Sequence, residues 1–236
     1  MKVNSKILPD LVKFIELRYA VDITQHQGTP LWDATLELQH QLDEAILHRY
    51  FGYDSTTGGQ DGYWKQQLRF ETRRTGAELA DKLKALGPRA KILDIGCGDN
   101  EFKTHVGDNV FGIDPYNTRS DSPVDIMDFH LRQRQWDAVL CLGSINFGDI
   151  ETIKLQVAKA VHMVKSGGSI YWRCNPGITH DNAHAKWVDF FAWTQDILNE
   201  FAEENKCDIV DSGYDHPGTA DEIRWGNRIY NEWKKR

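Results

Sequence analysis

The sequence predicts an α/β protein with one seven-stranded, mostly parallel β-sheet that has helices on both faces. From residue 91 onward, short apolar runs typical of strands alternate with amphipathic stretches typical of helices. The last two strand-like runs are joined only by a loop around residues 216–220, which is too short for a helical crossover. We therefore expect this final pair to be antiparallel and the last strand to run against the others.

Seven runs of residues are predicted to be strands: 91–95, 110–113, 124–126, 136–142, 169–174, 207–214 and 223–230. The first ninety residues differ, because apolar residues recur there at helical spacing over 8–19, 31–50 and 64–86. We interpret residues 1–62 as an N-terminal helical cap and residues 63–236 as the main domain. The third helix ends at Gly87 and Pro88, directly before the first strand, so we expect it to pack on the sheet.

Length and composition favour a folded protein with a real core. The chain has 236 residues, of which 40% are hydrophobic and 11% aromatic, enough for one large or two small domains. This composition excludes intrinsic disorder and low-complexity architectures. The formal net charge of -7 argues against a protein that coats nucleic acid, which would normally be basic.

The cysteines and the length of the apolar runs indicate a cytoplasmic protein without a membrane segment. The four cysteines lie far apart and form no Cys-x-x-Cys pair, which argues against a zinc ribbon or a disulfide scaffold. They are Cys97, Cys141, Cys174 and Cys207. Charged or polar residues interrupt every apolar run before it reaches the length of a signal peptide or a membrane span.

The first predicted strand ends in a loop with two glycines, Gly96 and Gly98, after Asp94 and around Cys97. Because glycine has no Cβ, a ligand can approach the backbone of such a loop closely. A tight strand-to-helix turn would explain the same two glycines. The residues that follow the next three strands favour the ligand-binding interpretation.

Acidic and small residues stand at the carboxyl ends of these strands, the edge where open α/β sheets bind ligands. Asp114 follows the second strand and suits the two hydroxyls of a ribose. Asp128 and Phe129 follow the third strand and suit the amino group and the ring of adenine. Small residues, Gly143 and Ser144, end the fourth strand and leave room for the other side of a ligand.

Over residues 91–236 these motifs resemble those of the class I S-adenosylmethionine-dependent methyltransferases. The resemblance implies a Rossmann-like sheet of order 3-2-1-4-5-7-6, with residues 93–98 as the glycine-rich first motif and 165–168 as the turn before the fifth strand. It also implies that S-adenosylmethionine is the cofactor and S-adenosylhomocysteine the product. The candidate cofactor-binding residues are Arg73, Asp94, Gly96, Cys97, Gly98, Asp114, Pro115, Asp128, Phe129, Leu142, Gly143 and Ser144.

A nicotinamide dinucleotide site is the main rival interpretation of the glycine loop. Its fingerprint needs a third glycine, so that a helix N-terminus can approach the pyrophosphate. Glu101 occupies that position here, and its carboxylate would repel the phosphates. A sulfonium cofactor carries a positive charge and no phosphate, so Asp94, Asp99 and Glu101 are compatible with it.

The acceptor side offers amides, a histidine and an arginine. Asn146 and Asn175 follow the fourth and fifth strands and would orient an acceptor, although asparagine also commonly caps turns. His180 is a candidate base, although a surface histidine commonly has no role. Arg73 extends the apolar line of the third helix and would bind the methionine carboxylate, or else pair with Glu71 on the surface.

The sequence thus predicts an enzyme that transfers a methyl group to an unidentified acceptor, most simply a small molecule. One alternative is an RNA or protein methyltransferase. It is supported by Arg132, Arg134, Arg173 and the C-terminal segment 233–236, which contains three basic residues. Another is a noncatalytic module that binds S-adenosylmethionine and uses the cap for a partner. We expect no metal, because no carboxylate stands beside Gly143 where catechol-type enzymes use one. The oligomeric state stays open.

Overall fold

The computed structural model describes residues 7–51, 74–130, 136–176, 190–215 and 228–236. Within these residues one sheet is formed by β1 (Ile92–Ile95), β2 (Val110–Ile113), β3 (Trp136–Leu142), β4 (Val164–Cys174), β5 (Cys207–Tyr214) and β6 (Ile229–Lys235). The strand order is β2-β1-β3-β4-β6-β5. Strands β1 to β4 are paired in parallel, whereas β6 runs antiparallel to both β4 and β5. The α/β class and the antiparallel last strand are confirmed.

Three helices precede the first strand: α1 (Ile7–Tyr19), α2 (Pro30–Phe51) and α3 (Ala77–Ala85), with a short 3-10 helix at Ile23–His26. Three more lie between later strands: α4 (Glu101–Val106), α5 (Ile150–Met163) and α6 (Gln195–Glu204). Side-chain caps fix two of the starts. The Asp149 carboxylate accepts the Thr152 N–H at 2.8 Å before α5, and the Thr194 hydroxyl accepts the Ile197 N–H at 3.2 Å before α6.

The two faces of the sheet are both buried. Successive side chains of a strand point to opposite faces, so Val139 joins the core beneath α5 and α6 while Leu140 joins the core beneath α3 and α4. Helix α3 contributes Leu79 and Leu83, both fully buried, to the second core. The expectation that this helix belongs to the core layer therefore holds for the part the structure describes.

The predicted third strand is wrong, and the seven-stranded order is corrected with it. Residues 124–126 form no ladder; the nearest pairing is a single bridge between Ile113 and Ser122. Instead, the Val124 N–H bonds back to the Ser122 carbonyl at 2.9 Å, which turns the chain, while Ile126 is buried in the core. Apolar character in a run of three residues reflects this burial and not a strand.

Other element boundaries shift for identifiable reasons. Strand β4 begins at Val164 and not at residue 169, because Val164 pairs with Trp136 ahead of a register shift. Strand β6 continues to Lys235, beyond the predicted end at residue 230. The start of the predicted third helix, the cap boundary at residues 62 and 63, and residues 223–227 lie outside the described residues. No helix described here is long and apolar enough to cross a membrane.

Candidate active site

A cavity lies at the carboxyl ends of β1, β2, β3 and β4. The loops after the first three of these strands line it with Gly96, Gly98, Asp114, Pro115, Tyr116, Asn117, Gly143, Ser144, Asn146 and Phe147. Leu142 at the end of β3, Arg173 near the end of β4 and Asn175 just after it complete the opposite wall. Ligands of open α/β sheets bind at this edge.

The glycine loop after β1 packs directly against the loop after β3. Gly96 has a φ of +68°, and a Cβ built on it would lie 2.4 Å from the Cβ of Ser144. A side chain at residue 96 would therefore force the two loops apart. Gly98, with a φ of +52°, turns its backbone N–H toward the end of β2. Packing and backbone conformation together require glycine at residue 96, whereas the positive φ of Gly98 favours glycine.

Asp114 connects the glycine loop to the end of β2. One carboxylate oxygen accepts the Gly98 N–H at 3.0 Å and the other accepts the Tyr116 N–H at 2.8 Å. Burial raises the pKa of Asp114, and these backbone hydrogen bonds oppose the shift. The Asn117 N–H is a third backbone donor to this carboxylate, so of its four lone pairs one is left to accept a hydroxyl donor from the cavity.

Asp94 and Cys97 lie behind the glycine loop and not on the cavity wall. Burial, followed by repulsion from Asp114, raises the pKa of Asp94 to about 7. Burial also raises the pKa of the Cys97 thiol. A Cβ on Gly112 would lie 2.6 Å from the Cys97 sulfur, so that cysteine packs against β2. Their role in cofactor binding remains a prediction.

The wall after the third predicted strand is formed by residues other than the two predicted there. Asp125 lines the cavity, together with Val124 and Ile126. Asp128 and Phe129 are not part of this lining, and the Phe129 ring stacks on Phe111 with the centroids 6.0 Å apart. Sequence reasoning missed Asp125 because it assigned that residue to a strand, whereas here a turn presents it to the cavity.

The two candidate asparagines are brought together. The Oδ1 of Asn146 accepts the backbone N–H of Asn175 at 3.1 Å, and both residues are buried. Trp193 reinforces the pair, because its backbone N–H bonds to the Asn175 carbonyl at 3.1 Å and its indole N–H to the Ile145 carbonyl at 2.9 Å. Asn146 thus holds the loops after β3 and β4 in register at the cavity wall.

An ion pair that the sequence did not reveal stands at the same wall. The Nε of Arg173 donates to Asp215 Oδ2 at 2.8 Å, and the Asp215 side chain is almost fully buried. The Thr75 N–H donates to Asp215 Oδ1 at 2.9 Å, and the Thr75 hydroxyl bonds to the same oxygen. Burial alone would raise the pKa of Asp215, but Arg173 and Thr75 outweigh burial and lower it. Asp215 is therefore a fixed carboxylate that orients Arg173.

Two buried polar atoms of the cavity lining have no hydrogen-bond partner among the described residues: Ser144 Oγ and Gln156 Oε1. Buried polar atoms are normally hydrogen-bonded, so these two are suited to a polar ligand. Arg73 and His180, the remaining candidates, lie outside the described residues, and their roles stay predictions.

No protein-family model and no curated protein matches the chain. Solved structures do match it. A 1,6-didemethyltoxoflavin-N1-methyltransferase from Burkholderia thailandensis, with its substrate and S-adenosylhomocysteine bound, aligns with a TM-score of 0.56 at 15% identity, over 83% of this chain and 89% of that one. The N-methyltransferase NodS from Bradyrhizobium japonicum, with S-adenosylhomocysteine, aligns with a TM-score of 0.52 at 15% identity, over 73% and 93%.

A third match, magnesium protoporphyrin IX methyltransferase from Synechocystis with S-adenosylhomocysteine bound, has a TM-score of 0.51 at 12% identity and covers 68% of this chain and 81% of that one. The chain has the S-adenosylmethionine-dependent methyltransferase fold. In this methyltransferase fold the cavity lies at the sheet edge where the first sequence motif was predicted, and β6 provides the antiparallel last strand.

Proposed function

We propose that this protein is an enzyme that transfers the methyl group of S-adenosylmethionine to a small-molecule acceptor. The observation that carries the proposal is that the Gly96 turn, the Asp114 carboxylate and the Ser144 hydroxyl line one cavity of a methyltransferase fold, and that this hydroxyl has no partner among the described residues. An acidic and hydrogen-bonding wall of this kind suits a nucleoside that carries a positive charge and no phosphate.

The donor set fits the cofactor. Asp114 retains a lone pair for a ribose hydroxyl, and Asp125 offers a carboxylate to the adenine amino group. Glu101, which replaces the third glycine of a dinucleotide loop, begins α4 next to this wall, and burial followed by Asp99 raises its pKa. The raised pKa of Glu101 means that a negative charge beside Asp99 is already unfavourable, which argues against binding a pyrophosphate at this position.

The chemistry requires orientation more than it requires a catalytic group. The cofactor supplies a methyl carbon that its sulfonium has already activated for in-line displacement. The residues of this chain bind both reactants and hold the acceptor lone pair toward that carbon, a positioning that by itself accelerates a reaction strongly. Asn146 and Asn175 form the part of the wall that faces the acceptor in this proposal, and a base is required only for a protonated acceptor.

We further propose that residues 1–62 form a lid over the acceptor. Helix α2 already reaches the cavity, because the His48 ring meets the ring of Tyr116, a lining residue, edge-on at 5.2 Å. Exclusion of water and orientation of substrates are common tasks of such lids. Residues 63–236 then constitute the cofactor-binding domain.

The cytoplasm is the compartment we propose. All four cysteines are free and buried, as is usual for a protein of a reducing compartment.

The acceptor is proposed to be a small molecule because two aromatic side chains are part of the cavity lining. They are Phe147 and Phe190, whose ring centroids lie 4.9 Å apart.

Calorimetric titration of the full chain with S-adenosylhomocysteine and with NAD tests the cofactor assignment. We expect S-adenosylhomocysteine to bind and NAD to give no response. The release of S-adenosylhomocysteine from S-adenosylmethionine in pooled small-molecule fractions, compared with RNA and protein fractions, then separates the acceptor classes. Cofactor binding without turnover in any fraction would support the noncatalytic module.

A further inference from the structure

We infer that the acceptor is a small molecule with a carboxylate or another oxyanion, and that Arg173 binds this group. The inference deepens the proposed function and rests on it. Its starting point is the distribution of charge along the cavity: the wall formed by the loops after β2 carries Asp114 and Asp125, whereas the wall at β4 and β6 carries Arg173 and Arg228. Under the proposed function, the ribose and adenine of the cofactor bind the first wall, which leaves the basic wall for the other reactant.

Arg173 is held in place before any ligand arrives. Its Nε donates to Asp215 Oδ2 at 2.8 Å, and Asp215 is in turn held by the two hydrogen bonds from Thr75. An arginine fixed through Nε keeps the two terminal nitrogens of its planar fork for another partner. Among the described residues, Asp215 is the only hydrogen-bond partner of this guanidinium.

The free end of the fork lies at the cavity beside the end of β3. Its Nη1 is 4.0 Å from the position that a Cβ on Gly143 would occupy, and Gly143, a predicted cofactor contact, directly follows that strand. Only 17% of the Arg173 side chain is exposed, so water screens this charge weakly. A partly buried, pre-oriented guanidinium binds an oxyanion more strongly than a mobile surface arginine.

The ion pair with Asp215 leaves part of the Arg173 guanidinium available. Asp215 stays ionised at neutral pH, because Arg173 and Thr75 lower its pKa, and it therefore remains the partner of the Nε edge. Within the described residues no second acceptor contacts the terminal nitrogens of Arg173, so an acceptor oxyanion can bind them.

The test uses acetate as the smallest carboxylate and acetamide as its neutral isostere. The full chain is saturated with S-adenosylhomocysteine, and binding of each probe is followed by saturation-transfer NMR at constant ionic strength. We expect acetate to bind and acetamide not to bind, and the Arg173→Gln variant to weaken acetate binding at least tenfold. Arg89→Gln is the matched control, because Arg89 is exposed just before β1, at the opposite edge of the sheet.

A second arm separates the acceptor from the cofactor as the source of the oxyanion. 5′-Methylthioadenosine lacks the amino acid part of S-adenosylhomocysteine. If Arg173→Gln weakened the binding of S-adenosylhomocysteine tenfold but left the binding of methylthioadenosine unchanged, Arg173 would hold the cofactor carboxylate. That result would overturn the inference. Equal binding of acetate and acetamide, or acetate binding that survives in Arg173→Gln, would also overturn it.

Removal of Arg173 alone leaves a buried carboxylate without its cation and could unfold the chain. The double variant Arg173→Gln, Asp215→Asn removes both charges and keeps the oxygen that Thr75 contacts, so it provides the same comparison in a folded protein. Failure of the wild-type chain to bind S-adenosylhomocysteine would reject the proposed function itself, an outcome distinct from the loss of acetate binding.

Discussion

A Cβ on Gly96 would lie 2.4 Å from the Cβ of Ser144, so the turn after β1 and the loop after β3 contact each other through a gap that only glycine fits. The contact joins two strands that are neighbours in the sheet, and it places both loops at one side of the cavity. Glycine is therefore required at residue 96 by packing against Ser144 as well as by backbone conformation.

Substitution of Gly96 should separate the effect of packing on stability from the effect of backbone conformation. We expect Gly96→Ala to lower the free energy of unfolding by about 1–2 kcal/mol from the positive φ and by a further 1–3 kcal/mol, roughly, from the collision with Ser144. Gly167→Ala is the matched control, since Gly167 has a φ of +76° and nothing within 4 Å of its Cβ position. Urea unfolding measures the loss of stability in both variants. Equal losses in the two variants would show that movement of the loops relieves the collision with Ser144.

Asp114→Ala should weaken S-adenosylhomocysteine binding by about 1–3 kcal/mol, which is roughly fivefold to 150-fold. The change removes the carboxylate that we propose to accept a ribose hydroxyl. It also removes the acceptor of the Gly98 and Tyr116 N–H groups, so a loss of about 1 kcal/mol in stability is expected as well.

Asp108→Ala is the control for that measurement, because Asp108 is exposed just before β2, whereas Asp114 follows the opposite end of this strand. Calorimetry should show unchanged affinity in this variant. An Asp114→Ala protein that bound S-adenosylhomocysteine normally but unfolded far more readily would give Asp114 a structural role only.

The stability of the ligand-free chain should fall as the pH rises from about 4 to about 7. The pKa of Asp94 is raised from 3.8 to about 7 by burial and by Asp114, so the folded state keeps a proton that the unfolded chain has released. The free energy of unfolding then decreases by up to about 1.4 kcal/mol per pH unit in this window, and the contribution present below about pH 4 is lost above pH 7.

Asp94→Asn stays neutral at every pH and should flatten that slope. Urea unfolding of both proteins at several pH values within the window provides the measurement. Because the pKa of Asp114 is also raised, part of the slope remains in the variant. Identical slopes in the two proteins would mean that Asp94 titrates near its ordinary value.

Deletion of residues 1–62 should leave S-adenosylhomocysteine binding within about tenfold of the full chain but abolish methyl transfer, if the cap orients the acceptor. His48→Ala tests the same idea without a deletion, since it removes the ring that meets Tyr116. Turnover at the full-length rate in a truncated protein that binds cofactor would reject the lid. Aggregation of the truncated protein would leave the His48→Ala kinetics to decide.

Local sequence patterns were sufficient for much of the fold and for the glycine loop. The strands at residues 110–113, 136–142 and 207–214 were predicted with the bounds that the structure shows. The first two of these strands are buried on both faces and read as apolar runs between polar turns, and this property is local. The spacing of Gly96 and Gly98 was readable for a similar reason, because a backbone with positive φ favours glycine wherever it occurs.

Tertiary structure decided which polar residues meet. Arg173 and Asp215 are 42 residues apart, and Thr75 reaches Asp215 across 140 residues, so no local pattern relates them. Asp125, and not Asp128, lines the cavity because the chain turns where a strand was predicted. Sequence alone determined several strands of the sheet and the glycine loop, since burial and φ are encoded residue by residue. The cavity wall formed by Arg173 and Asp215 depends on how distant elements pack, and only the folded chain determines that.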